Sequence, residues 1–130
     1  MKKGPKKARP KTKTDEDREH RIQMEILADA HDDQECAMGW YAYLQEKLRF
    51  PFLTTCIARR AISPLLVGDE VEAIGMAPEE ECGHEVFVMM PWERHGLAVP
   101  LSQLKVTHVD EQTREAVEDW HYWVKKGNRF

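Results

Sequence analysis

The side chains best suited to chemistry in this sequence are carboxylates. The stretch Ala77-Pro78-Glu79-Glu80-Glu81-Cys82-Gly83-His84-Glu85 is the most acidic of the chain. Adjacent carboxylates repel one another, and a divalent cation relieves that repulsion. Ca²⁺ is a hard ion that takes about six to eight oxygen ligands from carboxylates, carbonyls and water. A turn after Pro78 would let Glu79, Glu80 and Glu81 converge, with Glu85 just beyond, and Gly83 permits close backbone approach. The duller account is a solvated acidic loop between two strands, and composition alone favours it. A second group, Asp32, Asp33 and Glu35, opens a predicted helix, where capping and the helix dipole already explain acidic residues. Glu46 lies near the end of that helix, where a carboxylate is mildly unfavourable unless a cation compensates. Lys47, Arg49 or a metal could do so. Asp69 and Glu70 suit a turn and the solvent face of a strand.

Spacing argues against other chemistries. An EF-hand loop needs oxygen donors at its first, third and fifth positions, glycine at the sixth and Glu at the twelfth. No register starting at Asp32, Asp33 or Glu79 meets that pattern. Cys82 and His84 supply two ligands where a structural zinc site usually takes four. Cys36, Cys56, His31, His95, His108 and His121 are not spaced to complete it. No nucleophile elbow, zinc-protease, phosphate-loop or dinucleotide motif occurs. Glu neighbours should push the Cys82 thiol upward, the wrong direction for a nucleophile. The expectation is a protein without catalysis or a small-molecule substrate. Trp40, Trp120 and Trp123 read as core rather than as a ligand platform.

The 130 residues suggest one domain. Their net charge of −4 hides a split. Residues 1–13 hold seven Lys or Arg and no acidic residue, which leaves 12 basic against 23 acidic residues, a net −11, for the remainder. An acidic body raises the local concentration of cations and repels nucleic acid. Residues 1–13 contain almost nothing apolar and are expected to be a disordered basic tail, with residues 14–130 as the single folded domain. An anionic partner for that tail would be nucleic acid, an anionic surface or the acidic body itself. Three scattered cysteines without a CxxC pair argue against a disulfide framework and fit a reducing compartment. No apolar run approaches the roughly 20 residues of a membrane span. No signal peptide is evident, so the expected location is cytoplasmic.

These charges must be positioned by a mixed architecture. Thr14 reads as an N-cap, with Asp15, Glu16 and Asp17 in the first turn and Ile22, Ile26, Leu27 and Ala30 at helical spacing. The first helix is therefore predicted over residues 14–30. Asp32 with Glu35 resembles a capping box for a second helix, whose face carries Ala37, Trp40, Tyr41, Leu44 and Leu48 and which Pro51 ends. Five short strands follow, over residues 53–58, 67–74, 86–90, 97–99 and 105–109, with a tight helical turn at residues 100–104. Ala116, Val117, Trp120, Trp123 and Val124 line a last helix that Asp110 can cap. The fold class is α+β: two N-terminal helices, a small five-stranded SH3-like antiparallel barrel and a C-terminal helix.

Several segments also resemble a known family. These are Met38-Gly39-Trp40-Tyr41-Ala42-Tyr43-Leu44-Gln45-Glu46-Lys47-Leu48 ending in Phe50-Pro51-Phe52, then Val67-Gly68-Asp69-Glu70-Val71 with Gly75-Met76-Ala77-Pro78-Glu79-Glu80-Glu81-Cys82. Leu97-Ala98-Val99-Pro100-Leu101-Ser102-Gln103-Leu104 and Glu118-Asp119-Trp120-His121-Tyr122-Trp123 follow in the same order. The sequence resembles the cyanobacterial-type calcium-binding proteins called CcbP over residues 16–129. The resemblance implies Ca²⁺ held by surface carboxylates without an EF-hand, in a cytoplasmic calcium buffer or sensor. Acidic positions inside the matching segments are Glu46, Asp69, Glu70, Glu79, Glu80, Glu81, Glu118 and Asp119. The expected ligands are Glu79, Glu80, Glu81, the adjoining Glu85 and Glu46, with Asp32 and Glu35 as second choices. The alternative function is a protein- or nucleic-acid-binding adaptor using the barrel and the basic tail.

Overall fold

The computed structural model describes residues 13–128 and residue 130. The disorder expected of the basic tail, residues 1–13, lies outside the described residues except at Lys13, which is the first residue of a helix. Helix α1 spans Lys13–Arg21, so Thr14 lies within the helix rather than capping it. The winding widens into a single π turn, Ile22–Ile26, in which the Leu27 N–H donates to the Ile22 carbonyl at 2.9 Å. It ends there, short of the predicted residue 30. At this point Ile26 presses its carbonyl against Gly39 of the next helix, where any Cβ would collide with that oxygen.

Helix α2 spans Asp33–Lys47 and helix α3 spans Glu111–Lys125. The three helices are joined through a buried charge. Asp119 of α3 is fully enclosed, a costly position unless every lone pair is engaged. Arg18 Nε donates to it at 2.8 Å, and Arg21 donates from Nη2 at 2.7 Å and from Nε at 3.0 Å. The Tyr43 hydroxyl of α2 donates at 2.7 Å. Burial, then the bond to Asp119, pushes the Tyr43 phenol upward. The acidic Asp119 of the matching segments therefore serves to fasten α1 and α2 to α3.

The strands are β1 Phe52–Cys56, β2 Glu70–Ala73, β3 Gly75–Met76, β4 Phe87–Met90, β5 Leu97–Pro100 and β6 Leu104–Val106. They form two antiparallel three-stranded sheets, ordered β2-β1-β6 and β3-β4-β5. This corrects the five-stranded barrel: among the described residues there are six strands, and no barrel closes. The expected strand over residues 67–74 holds only β2, and the chain runs on into β3 with a different partner. Ala73 still faces Phe52 of β1, whereas the Ile74 N–H donates to Met89 at 2.8 Å and Gly75 faces that same residue. Its start is a turn, with Gly68 at φ +97° and the Asp69 carboxylate accepting from the Leu66 N–H. The last strand stops at Val106, because His108 adopts φ +56° and turns the chain. Residues Leu101–Gln103 form the expected tight turn.

The core lies between the sheets and the helices. Trp40 and Trp120 meet edge to face at 5.1 Å between centroids, and Trp123 lies 5.4 Å from Trp40. All three are buried, as are Leu44, Val88, Val99 and Leu104. Cys36, Cys56 and Cys82 are free thiols. Among the described residues, no helix is long and apolar enough to cross a membrane.

Candidate functional site

Two distant segments form the acidic cleft, and each is shaped by local backbone chemistry. The first is the start of α2. Asp32 is extended and its carboxylate accepts from the Glu35 N–H at 2.8 Å. The Glu35 carboxylate reaches back to the His31 N–H at 2.6 Å. Asp32 and Glu35 are thus engaged in capping, which satisfies helix donors that would otherwise lack partners. Asp33, between them, has no such duty.

The second segment is the tight turn Glu79–Cys82 between β3 and β4. The Glu81 N–H closes it on the Pro78 carbonyl at 2.9 Å. With about three residues per turn, neighbouring side chains point roughly 120° apart. Of the three expected to converge, Glu79 and Glu80 line one cleft. Cys82 points inward, and its Sγ accepts from the Phe87 N–H at 3.4 Å. All three are exposed; Glu79 and Glu80 line the cleft beside α2, and Glu81 is not part of its wall. The Tyr41 hydroxyl of α2 donates to the Ala77 carbonyl at 2.6 Å and fastens the two segments together.

Between them opens a cleft of about 530 Å³, walled by Asp33, Met38, Tyr41, Glu79, Glu80 and Phe130, among others. Both walls carry negative potential. Burial raises the Tyr41 phenol, and Cys82, Glu79 and Glu80 push it further. Burial likewise raises Cys36, with Asp33, Asp32 and Glu35 adding to it. Cys82 is raised by burial first and then by Glu81, Glu79 and Glu85, against the pull of the Phe87 N–H. Among the described residues, no cation pairs with Asp33, Glu79 or Glu80.

The remaining expected ligands lie elsewhere. Glu85 is held by Arg60 through two bonds, at 2.7 and 3.0 Å, and Arg60 also donates to Ser102 at 3.2 Å. That pair borders a neighbouring cleft of about 600 Å³. Glu46 opens onto a different face of α2, in a groove with Glu25 and Lys47. Asp33 is the cleft carboxylate that the sequence reasoning passed over. The available signal was redundancy, since one Asp suffices for an N-cap and Asp32-Asp33 offers two.

Oxygen donors of this kind suit a hard cation, and the thiol on the cleft wall, Cys82, is turned inward. Among the described residues, no three His, Cys, Asp or Glu side chains are grouped closely enough to hold a metal as they stand. The cleft thus has fitting donors on opposite walls without a preformed cage. Exposed Glu side chains have the rotamer freedom to swing onto an ion.

Comparison with known proteins bears on what this cleft serves. The sequence profile of the CcbP family, described as calcium binding, matches residues 20–124. The chain belongs to the CcbP calcium-binding family. Ca²⁺ is the ion of that family. Two solved CcbP-like structures are similar along most of the chain. The crystal structure of Anabaena CcbP shares 39% identity at a TM-score of 0.78, over 89% of this chain and 95% of that one. A calcium binding protein in the calcium-binding form shares 38% identity at a TM-score of 0.78, with the same coverage. No curated protein matches the chain.

Proposed function

We propose that this protein binds Ca²⁺ reversibly in the cleft between the start of α2 and the Glu79–Cys82 turn, as a non-catalytic, non-EF-hand calcium buffer or sensor of the cytoplasm. Asp33, Glu79 and Glu80 are its carboxylate ligands. The observation that carries this reading is the meeting of three carboxylates, from segments more than forty residues apart, in one cleft with no paired cation among the described residues. Family membership names the ion. Backbone carbonyls and water complete the coordination that carboxylates alone cannot fill. Glu85 is excluded from the ligand set because Arg60 neutralises it, and Glu46 because it faces another groove.

Isothermal titration with Ca²⁺ against Mg²⁺, at physiological ionic strength, tests the reading. Heat of Ca²⁺ binding at submillimolar concentration is expected, and its absence would sink the proposal. Asp33→Asn, Glu79→Gln and Glu80→Gln should each weaken Ca²⁺ binding about tenfold, or about 1.4 kcal/mol. Glu46→Gln and Glu85→Gln should leave it within about twofold. Unchanged affinity in all three cleft variants would place the site elsewhere.

A further inference from the structure

The acidic cleft carries more than an ion needs. Its α2 wall runs along one face of the helix, since Asp33, Ala37 and Tyr41 lie four residues apart and Met38 follows Gln34 at the same spacing. A hard cation takes oxygen, and a thioether is a soft ligand that offers it nothing. Met38 is nonetheless 51% exposed on that wall. Methionine is unbranched and polarisable and adapts to varied apolar partners. Phe130 supplies a second apolar surface. It packs on Trp120 at 5.7 Å and on Trp123 at 5.5 Å, and is only partly covered there. Phe130 and His84 border both this cleft of about 530 Å³ and the neighbouring one of about 600 Å³. Each volume falls within the roughly 300–1,000 Å³ that holds a drug-sized ligand, so the adjoining pair has room for several residues of peptide. The charges along this groove are ordered. Asp33, Glu79 and Glu80 stand at the α2 end, with no cation paired to them among the described residues. At the other end Glu85 is neutralised by Arg60. An anionic ligand is repelled from the α2 end, and a bare cation leaves Met38 and Phe130 uncovered. The ligand that matches both features carries cationic groups beside a bulky apolar side chain.

We infer that this groove docks a basic amphipathic peptide of a partner protein and that Ca²⁺ releases it. Lys or Arg of the peptide pairs with Asp33, Glu79 and Glu80, and an apolar side chain of the peptide is buried between Met38 and Phe130. The release rests on the calcium reading of the cleft. The ion and the peptide need the same three carboxylates, so each lowers the apparent affinity of the other by the same factor. Occupancy of the cleft by an ion is thereby converted into the loss of a bound partner.

The test is fluorescence anisotropy on the full-length chain with a short labelled peptide of Lys and Leu in an amphipathic pattern, first in a chelator and then in Ca²⁺. The peptide should bind in the chelator and come off as Ca²⁺ is added. Replacing its Leu residues with Ser should weaken binding about tenfold, the worth of roughly one buried aliphatic side chain. On the protein, Met38→Ser alters an exposed side chain and should weaken the Leu peptide about fivefold. Calorimetry should find the Ca²⁺ affinity of this variant within about twofold of wild type, because no oxygen ligand has changed. Glu80→Gln should weaken both ligands. Leu and Ser peptides that bind alike, or a Met38→Ser protein that holds the Leu peptide as wild type does, reduce the association to general attraction by an acidic body and overturn the docking. A peptide that stays bound while calorimetry registers Ca²⁺ overturns the release and leaves the calcium reading intact. Peptide binding by a protein that takes up no Ca²⁺ defeats the calcium reading and the release with it.

Discussion

At the residue scale, a carboxylate is defined by its partner. Glu79 and Glu80 face an open cleft, Glu85 answers Arg60, Asp32 and Glu35 cap a helix, and Asp119 anchors two arginines. All are acidic residues in local sequence, and their fates diverge through contacts the local sequence does not contain. Tyr41 is the clearest case of a neutral group serving such a site. Its hydroxyl holds the Ala77 carbonyl at 2.6 Å, two residues before the turn begins. Tyr41→Phe should cost about 1 kcal/mol of stability in chemical denaturation. It should also weaken Ca²⁺ binding severalfold in titration, although no charge has changed. Unaltered binding would show that the cleft walls hold their spacing without this bond. The sequence made Glu79 and Glu80 visible, because three adjacent Glu residues mark a charged loop. Asp33 was hidden behind a sufficient capping explanation. The pairing of Glu85 with Arg60, 25 residues upstream, leaves no trace in the local pattern.

At the element scale, the helices were the most legible part. Their apolar spacing placed α2 and α3 within a few residues, and the Asp32 cap was readable from Asp and Glu three apart. Alternation carried the strands less well. Val71 and Ala73 keep the period of a single strand, yet the backbone changes partner at Ile74. Periodicity reports which side chains are buried and says nothing about which strand lies alongside. The π turn was equally hidden, since Ile22 and Ile26 suit an ordinary helix. It becomes intelligible at Gly39, the only residue type that lets the Ile26 carbonyl approach α2 so closely. Gly39→Ala should destabilise the protein by about 1–3 kcal/mol in urea unfolding, because backbone must move to admit the methyl. The substitution improves helix propensity by nearly 1 kcal/mol, so a net stabilisation would show that α1 and α2 can separate freely.

At the scale of the whole molecule, stability depends on how α3 is joined to the sheets. His121 is largely enclosed, and its Nε2 lies 2.8 Å from the Leu104 carbonyl of β6. That carbonyl only accepts, so Nε2 carries the proton and donates it. Burial, aided by Lys125, lowers the imidazole from its ordinary 6.5, against the pull of the Leu104 carbonyl and of Glu118. The unfolded chain therefore takes up this proton more readily than the folded one. The stabilisation is complete above the unfolded value and declines as pH falls below it, until both states are protonated. Urea midpoints should drop between about pH 7 and pH 5 in the wild type. The drop should be smaller in His121→Gln, whose amide can still donate to Leu104. Equal pH slopes in both proteins would remove His121 from this account. The two sheets bear on stability in another way. Ile74 stands between β2 and β3, so one stretch of backbone is stitched to β1 on one side of this residue and to β4 on the other. Neither sheet can come apart without dragging on its neighbour. Three strands alone are marginal in water, but here the six form a single cooperative unit, and the slowest-exchanging amides of both sheets should report one common opening free energy.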